Sequence, residues 1–169
     1  VLPLEALHHG DHYKLLVEWK GGSGERIPAW ADYAVQDPET NLFSAVVWDP
    51  ERPYSFVHPR PDTPAEPLLI YECHIGMATE EEKVGSYREF MEKVLPMVKE
   101  KGYNALQIMA IMEHPYYGSF GYQVTNFFAP SSRFGTPDDL RALIDEAHRL
   151  GLRVIMNLVP SHAEKNEAE

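Results

Sequence analysis

Apolar and polar positions follow two different patterns along this chain, and the change falls near residue 58. Before it, apolar residues come in short runs broken by turn residues. The run Y-K-L-L-V-E-W at 13–19 predicts a strand, and G-G-S-G at 21–24 a hairpin-type loop. I-P-A-W at 27–30 and A-V-V-W at 45–48 predict further short extended segments. Asp37-Pro38 and Asp49-Pro50 mark turns between them. This is the pattern of part of an all-β sandwich. Residues 58–67 then carry four prolines in ten positions. Proline at that density continues neither a helix nor a central strand, so the segment reads as a stiff linker and a domain boundary.

After the linker the periods lengthen. L-L-I-Y-E-C at 68–73 is a short apolar run of the kind a buried parallel strand requires. Ser86 and Glu89 have capping-box spacing, and Tyr87, Phe90, Val94 and Val98 fall on one face of the helix that follows. Gly102 ends that helix, and residues 105–112 predict a second buried strand. Thr136 caps a second helix, Pro137 suits its first position, and Asp138 and Asp139 complement the positive end of its dipole. Leu140, Leu143, Ile144 and Ala147 form its apolar stripe; Gly151 stops it, and residues 152–159 predict a third strand. The order β-α-β-α-β suits right-handed parallel crossovers. The expected division is therefore 1–58, part of a β-sandwich; 59–67, linker; and 68–169, an α/β segment.

Composition narrows the function. The 169 residues are 44% hydrophobic, enough for a core. The net charge of −11 argues against nucleic acid or an anionic membrane as partner, and it is compatible with a neutral ligand. No run reaches the ~20 consecutive apolar residues of a membrane span. The single cysteine, Cys73, lies in an apolar run, excludes an intrachain disulfide and fits a cytoplasmic location. The chain begins at Val1 and stops at Glu169 without a structural stop signal, so it is expected to be a piece of a longer protein.

Candidate chemistry gathers at the predicted strand C-termini. The loop from Glu113 to Gly135 is long and rich in aromatic residues, which either pack the loop or stack on a ligand; Tyr122, preceded by glycine, is the best contact. His162 follows the third strand beside Asn157 and Ser161, where a histidine either binds a sugar hydroxyl, a metal or a phosphate, or serves structure. His74 and the Glu113-His114 pair follow the other two strands. Zinc-ligand spacings are absent, as are nucleotide-binding glycine motifs, and no cofactor or metal is expected.

Six stretches carry a family likeness: Y-E-C-H-I-G-M at 71–77, L-P-M-V-K at 95–99, G-Y-N-A-L-Q-I-M-A-I at 102–111, S-F-G-Y at 119–122, N-F-F-A-P-S-S-R-F-G-T-P at 126–137 and V-P-S-H-A at 159–163. They resemble the α-amylase superfamily of glycoside hydrolases and, within it, the 1,4-α-glucan branching enzymes. The upstream I-P-A-W and H-P-R-P resemble the end of that family's carbohydrate-binding sandwich. The resemblance implies a partial (β/α)8 TIM barrel, with its first three strands and two helices, preceded by part of a β-sandwich. It implies an α-1,4-glucan as partner, cleaved and transferred to a 6-hydroxyl to make α-1,6 branches in glycogen biosynthesis.

By the same resemblance Tyr122 stacks under the sugar at the cleavage subsite, and His162 hydrogen-bonds that sugar. Asn157 stands where the family has an aspartate supporting an arginine near the nucleophile, and Pro160 stands where it has histidine. The family's three catalytic carboxylates lie on later strands. A whole barrel takes ~250 residues, so no catalytic residue is expected among these. Two alternatives remain: a non-catalytic glucan-binding or scaffold protein, and another α-amylase-type enzyme such as a debranching one.

Overall fold

The computed structural model describes residues 7–62, 66–161 and 163. Its strands are β1 (His12–Tyr13), β2 (Leu15–Trp19), β3 (Gly22–Arg26), β4 (Ala34–Gln36), β5 (Phe43–Val46), β6 (Ile70–Cys73), β7 (Ala105–Ile108), β8 (Met112–Glu113), β9 (Asn126–Pro130) and β10 (Arg153–Met156). The α-helical segments are α1 (Tyr87–Glu89), α2 (Leu95–Glu100) and α3 (Pro137–Arg149). These elements gather in two compact units. The described residues of 1–53, 112–132 and 160–169 make the first, and those of 54–111 and 133–159 the second.

In the first unit β5 pairs antiparallel with both β1 and β4, and β2 forms a hairpin with β3. The run expected as one strand at 13–19 splits at Lys14. Tyr13 lies opposite Ala45 in one sheet, while Leu15 lies opposite Arg26 in the other. Residues 27–30, expected to be extended, form a coil and turn instead, closed by the Ala31 N–H donating to the Pro28 carbonyl. The core is small. Ile27, Ala31, Ala34, Phe43, Ala45 and Ala129 are buried together, with Tyr13 against them. Alanine at 34 and 45, directly opposite each other across β4 and β5, leaves room for the larger Ile27 and Phe43.

The second unit is built on a parallel sheet in the order β10-β7-β6. Ile70, Ala105 and Arg153 are in register, as are Cys73, Ile108 and Met156. The expected capping box at Ser86 is present, and the expected Thr136 cap proves to be a capping box as well. Ser86 Oγ accepts from the Glu89 N–H while Glu89 Oε2 accepts from the Ser86 N–H, and Thr136 and Asp139 do the same for α3. The first helix differs from expectation in its middle. Pro96 has no N–H to give and its ring crowds the preceding turn. A π-turn over Phe90–Val94 precedes it, with the Leu95 N–H reaching back to the Phe90 carbonyl. The extra residue rotates the face, so Leu95, not Val94, joins Tyr87, Phe90 and Val98 in the interior. Each such buried side chain contributes about 1.5–3 kcal/mol relative to exposure. On α3 the buried apolar positions are Pro137, Leu140, Leu143 and Ala147, with Ile144 at the margin.

The strand expected at 105–112 is two strands. β7 ends at Ile108, and β8 pairs antiparallel with β9, Met112 opposite Pro130. An apolar run shows burial but not its partner, so a strand that changes sheets looks continuous in sequence. The compact units consequently differ from a division in chain order. Residues 112–132 group with the N-terminal strands, and 54–58 group with the parallel sheet.

Candidate functional site

The C-terminal edge of the parallel sheet is the first place where functional groups meet. The Met109 N–H donates to the Cys73 carbonyl at 2.9 Å and the Asn157 N–H to the Ile108 carbonyl at 3.0 Å. These bonds extend the ladder one residue past the strands, so His74 and Asn157 emerge on either side of Met109, roughly 10 Å apart at the usual strand spacing. His74 is buried, with its ring edge-on to Phe134 at 5.5 Å between centroids. Burial pushes its pKa below the ordinary value, which keeps it neutral near pH 7. Glu72 is the one carboxylate on β6, β7 and β10, and it accepts from Gln107 Nε2 at 2.7 Å. Burial, reinforced by the Glu72 charge, pushes the Cys73 thiol up to about 12, so it is a packing residue and not a nucleophile. This edge offers hydrogen-bonding groups for polar ligands; retaining glycoside chemistry uses a pair of carboxylates about 5 Å apart, and among the described residues of its three strands Glu72 is the single carboxylate.

The long loop supplies the second place, in the first unit. Residues 116–122 are shaped locally. The Ser119 N–H and hydroxyl both donate to the Tyr116 carbonyl, and the Phe120 N–H donates to that of Tyr117. Phe120 and Gly121 then both adopt positive φ, 53° and 85°. For phenylalanine that conformation costs about 1–2 kcal/mol, and glycine at 121 avoids a second such cost. The reversal presents Tyr122, half-buried, with its N–H held by the Ser119 carbonyl at 3.0 Å.

Glu113 and His114, read from sequence as part of a polar cleft, are fully buried instead. Glu113 Oε1 accepts from the His114 N–H at 3.0 Å and from Ser131 Oγ at 3.2 Å, while Oε2 accepts from the Ser132 N–H at 2.6 Å. His114 Nδ1 lies 2.9 Å from the Met112 carbonyl, which can only accept, so that nitrogen carries a proton. Both residues organise the base of the loop. Among the described residues no group of three or more His, Cys, Asp or Glu is arranged to hold a metal ion.

Tyr122 thus belongs to the first unit and Asn157 to the second. His162 lies outside the described residues. Sequence reading missed two features. Asp145 on α3 accepts from the Tyr54 hydroxyl, from the backbone N–H groups of Val57 and His58, and from the His58 ring. Burial pushes the Asp145 carboxyl up, but those hydrogen bonds outweigh it and bring it down to about 2. The other feature is the stacking of Trp30 on Phe128, 4.1 Å between ring centroids. The sequence signal for the first was an acid inside an otherwise well-patterned helix; for the second there was none beyond aromatic content.

Parallel strands alternating with helices, with polar side chains leaving one edge, define a parallel α/β segment. The chain belongs to the α-amylase catalytic-domain family, whose model matches residues 75–169. It is 52% identical over 95% of its length to a 1,4-α-glucan-branching enzyme from Arabidopsis thaliana, and 50% identical over 95% to one from Saccharomyces cerevisiae. It spans 20% and 24% of those two proteins, about a fifth to a quarter of the curated relatives it matches. The catalytic module of a glycogen-degrading pneumococcal virulence factor shares the fold, with a TM-score of 0.75 at 18% identity over 93% of this chain and 28% of that one.

Proposed function

We propose that the protein containing this chain is a 1,4-α-glucan branching enzyme. It cleaves an α-1,4 bond through a covalent glycosyl intermediate and transfers the freed chain to a 6-hydroxyl, as in glycogen biosynthesis. The observation that carries this reading is the identity of about half the residues, over 95% of the chain, with branching enzymes from a plant and a yeast. Residues 1–58 are then the end of a carbohydrate-binding sandwich, 59–67 a linker, and 68–169 the start of the catalytic barrel. The contribution of these residues is binding. Tyr122 stacks under a glucose ring, His162 hydrogen-bonds it, and Asn157 supports the neighbouring groups from the third strand. The location is cytoplasmic. Among the described residues no helix is long and apolar enough to cross a membrane, and the charge of −11 disfavours anionic partners.

The departures at Asn157 and Pro160 favour one second reading, a glucan-binding protein that no longer branches. Asparagine keeps the shape of aspartate but replaces a charge-assisted bond by a neutral one, roughly half as strong. Assaying the whole protein with amylose separates the two readings. Loss of iodine staining, together with new short chains after debranching, is the expected result. Glucan binding without either change would select the second reading.

A further inference from the structure

The strongest unassigned feature is the exposed aromatic pair in the first unit. Trp30 sits in the turn at 28–31 with 76% of its surface open, and Phe128 on β9 is 51% open. Their rings stack at 4.1 Å with an interplanar angle of 22°. One face of the indole is therefore occupied by Phe128, and the other is presented to solvent. The pair is held in place by Asn126. Its Nδ2 donates to the Pro28 carbonyl at 3.2 Å, in the turn that carries Trp30, while its Oδ1 accepts from the Phe128 N–H at 2.9 Å. A single buried amide thus ties both supporting segments together before any ligand arrives.

Beside the pair is a cavity of about 140 Å³ lined by Ile27, Ala29, Thr125, Asn126, Phe127 and Phe128. None of these residues is charged. A flat indole face beside a neutral recess suits a ligand with an apolar ring face and an uncharged rim.

We propose that Trp30 and Phe128 form a stacking platform for a glucose unit of an α-glucan chain, with the rim of the sugar lying over the neutral recess. The choice of α-glucan rests on the function proposed above; the choice of a neutral pyranose rests on the rings and the uncharged recess.

The test uses the whole protein and maltoheptaose as probe, with binding read by tryptophan fluorescence and by retardation in glycogen-containing gels. Trp30→Ala and Phe128→Ala should each weaken binding, by up to roughly tenfold. Trp30→Phe, which keeps a stacking face, should retain most of the affinity while losing much of the fluorescence response. Alanine variants that bind like the wild type would overturn the platform. So would a Trp30 indole shielded from acrylamide in the free protein, with affinity and cooperative melting lost together, because the pair would then be packed inside an interface. Branching of amylose by the wild type is scored separately. Its absence would sink the proposed function, while the platform would stand or fall on the variants alone.

Discussion

Each compact unit is organised around one buried carboxylate, and the two work over very different spans. Glu113 gathers donors from its neighbour His114 and from Ser131 and Ser132, no more than 19 residues away. Asp145 gathers Tyr54, Val57 and His58 from 87 to 91 residues back. The first closes a loop on itself; the second pins an incoming segment to a helix. In an otherwise open chain, the longer closure costs only about 1.4 kcal/mol more, because closure entropy grows with the logarithm of length. Distance in sequence is thus cheap in free energy even where it hides the contact completely from a reading of the sequence. Besides backbone donors, Asp145 takes a phenol and an imidazole.

The largest break in this comparison is Glu113→Ala. It removes the carboxylate to which Ser131 Oγ and the N–H groups of His114 and Ser132 donate, and a loss of about 3 kcal/mol is expected in urea denaturation. Asp145→Asn should cost less, since the amide oxygen can keep some of the donors. Its effect carries a pH signature. The folded carboxyl is lowered from 3.8 to about 2, so its stabilisation is full above 3.8 and fades as pH falls toward about 2. The stability difference between wild type and Asp145→Asn should therefore shrink across that window. A difference that stays constant from pH 7 to pH 2 would show that the charge of Asp145 contributes nothing.

Tyr54→Phe removes one of the Asp145 donors and should cost about 1.5 kcal/mol. In the wild type, burial and the Asp145 hydrogen bond push the Tyr54 hydroxyl up to about 12. Its contribution should hold below pH 10 and be lost as pH rises through about 12, which ultraviolet titration of the phenolate can follow. Ser131→Ala should cost least, about 1 kcal/mol or under, because Glu113 keeps two backbone donors. If it matched Glu113→Ala, the serine and not the backbone would hold the loop.

Much of the second unit was legible beforehand because its signals are local. Ser86 with Glu89 forms the expected capping box, and Thr136 caps its helix as expected, with Asp139, read only as a dipole partner, closing the box. The three parallel strands also stand where the apolar runs placed them, trimmed at their ends. The errors have separate causes. The π-turn before Pro96 rotates a helical face that counting by 3.6 residues assigns to Val94. The run at 105–112 continues in sequence but changes partners after Ile108. Near the N-terminus the expected hairpin forms between β2 and β3, but residues 27–30 are not extended, and the pairing of β1 with β5, more than thirty positions away, had no local signal. At the candidate site the Gly121-Tyr122 turn was visible as a glycine signal, while the burial of Glu113 and His114 was not.

The sequence alone determined the helix starts, the parallel β-α-β-α-β order, the inert setting of Cys73 and the family. Each of these depends on residue types at spacings of a few positions, where sterics and hydrogen-bond chemistry act directly. Only the tertiary structure decided that Asp145 would bind the segment at 54–58, that Asn126 would tie the turn at Pro28 to β9, and that Trp30 would stack on Phe128. These contacts join residues 87 to 98 positions apart. They exist because the packed elements bring those groups within hydrogen-bond or van der Waals reach, and no local preference of the chain specifies that meeting.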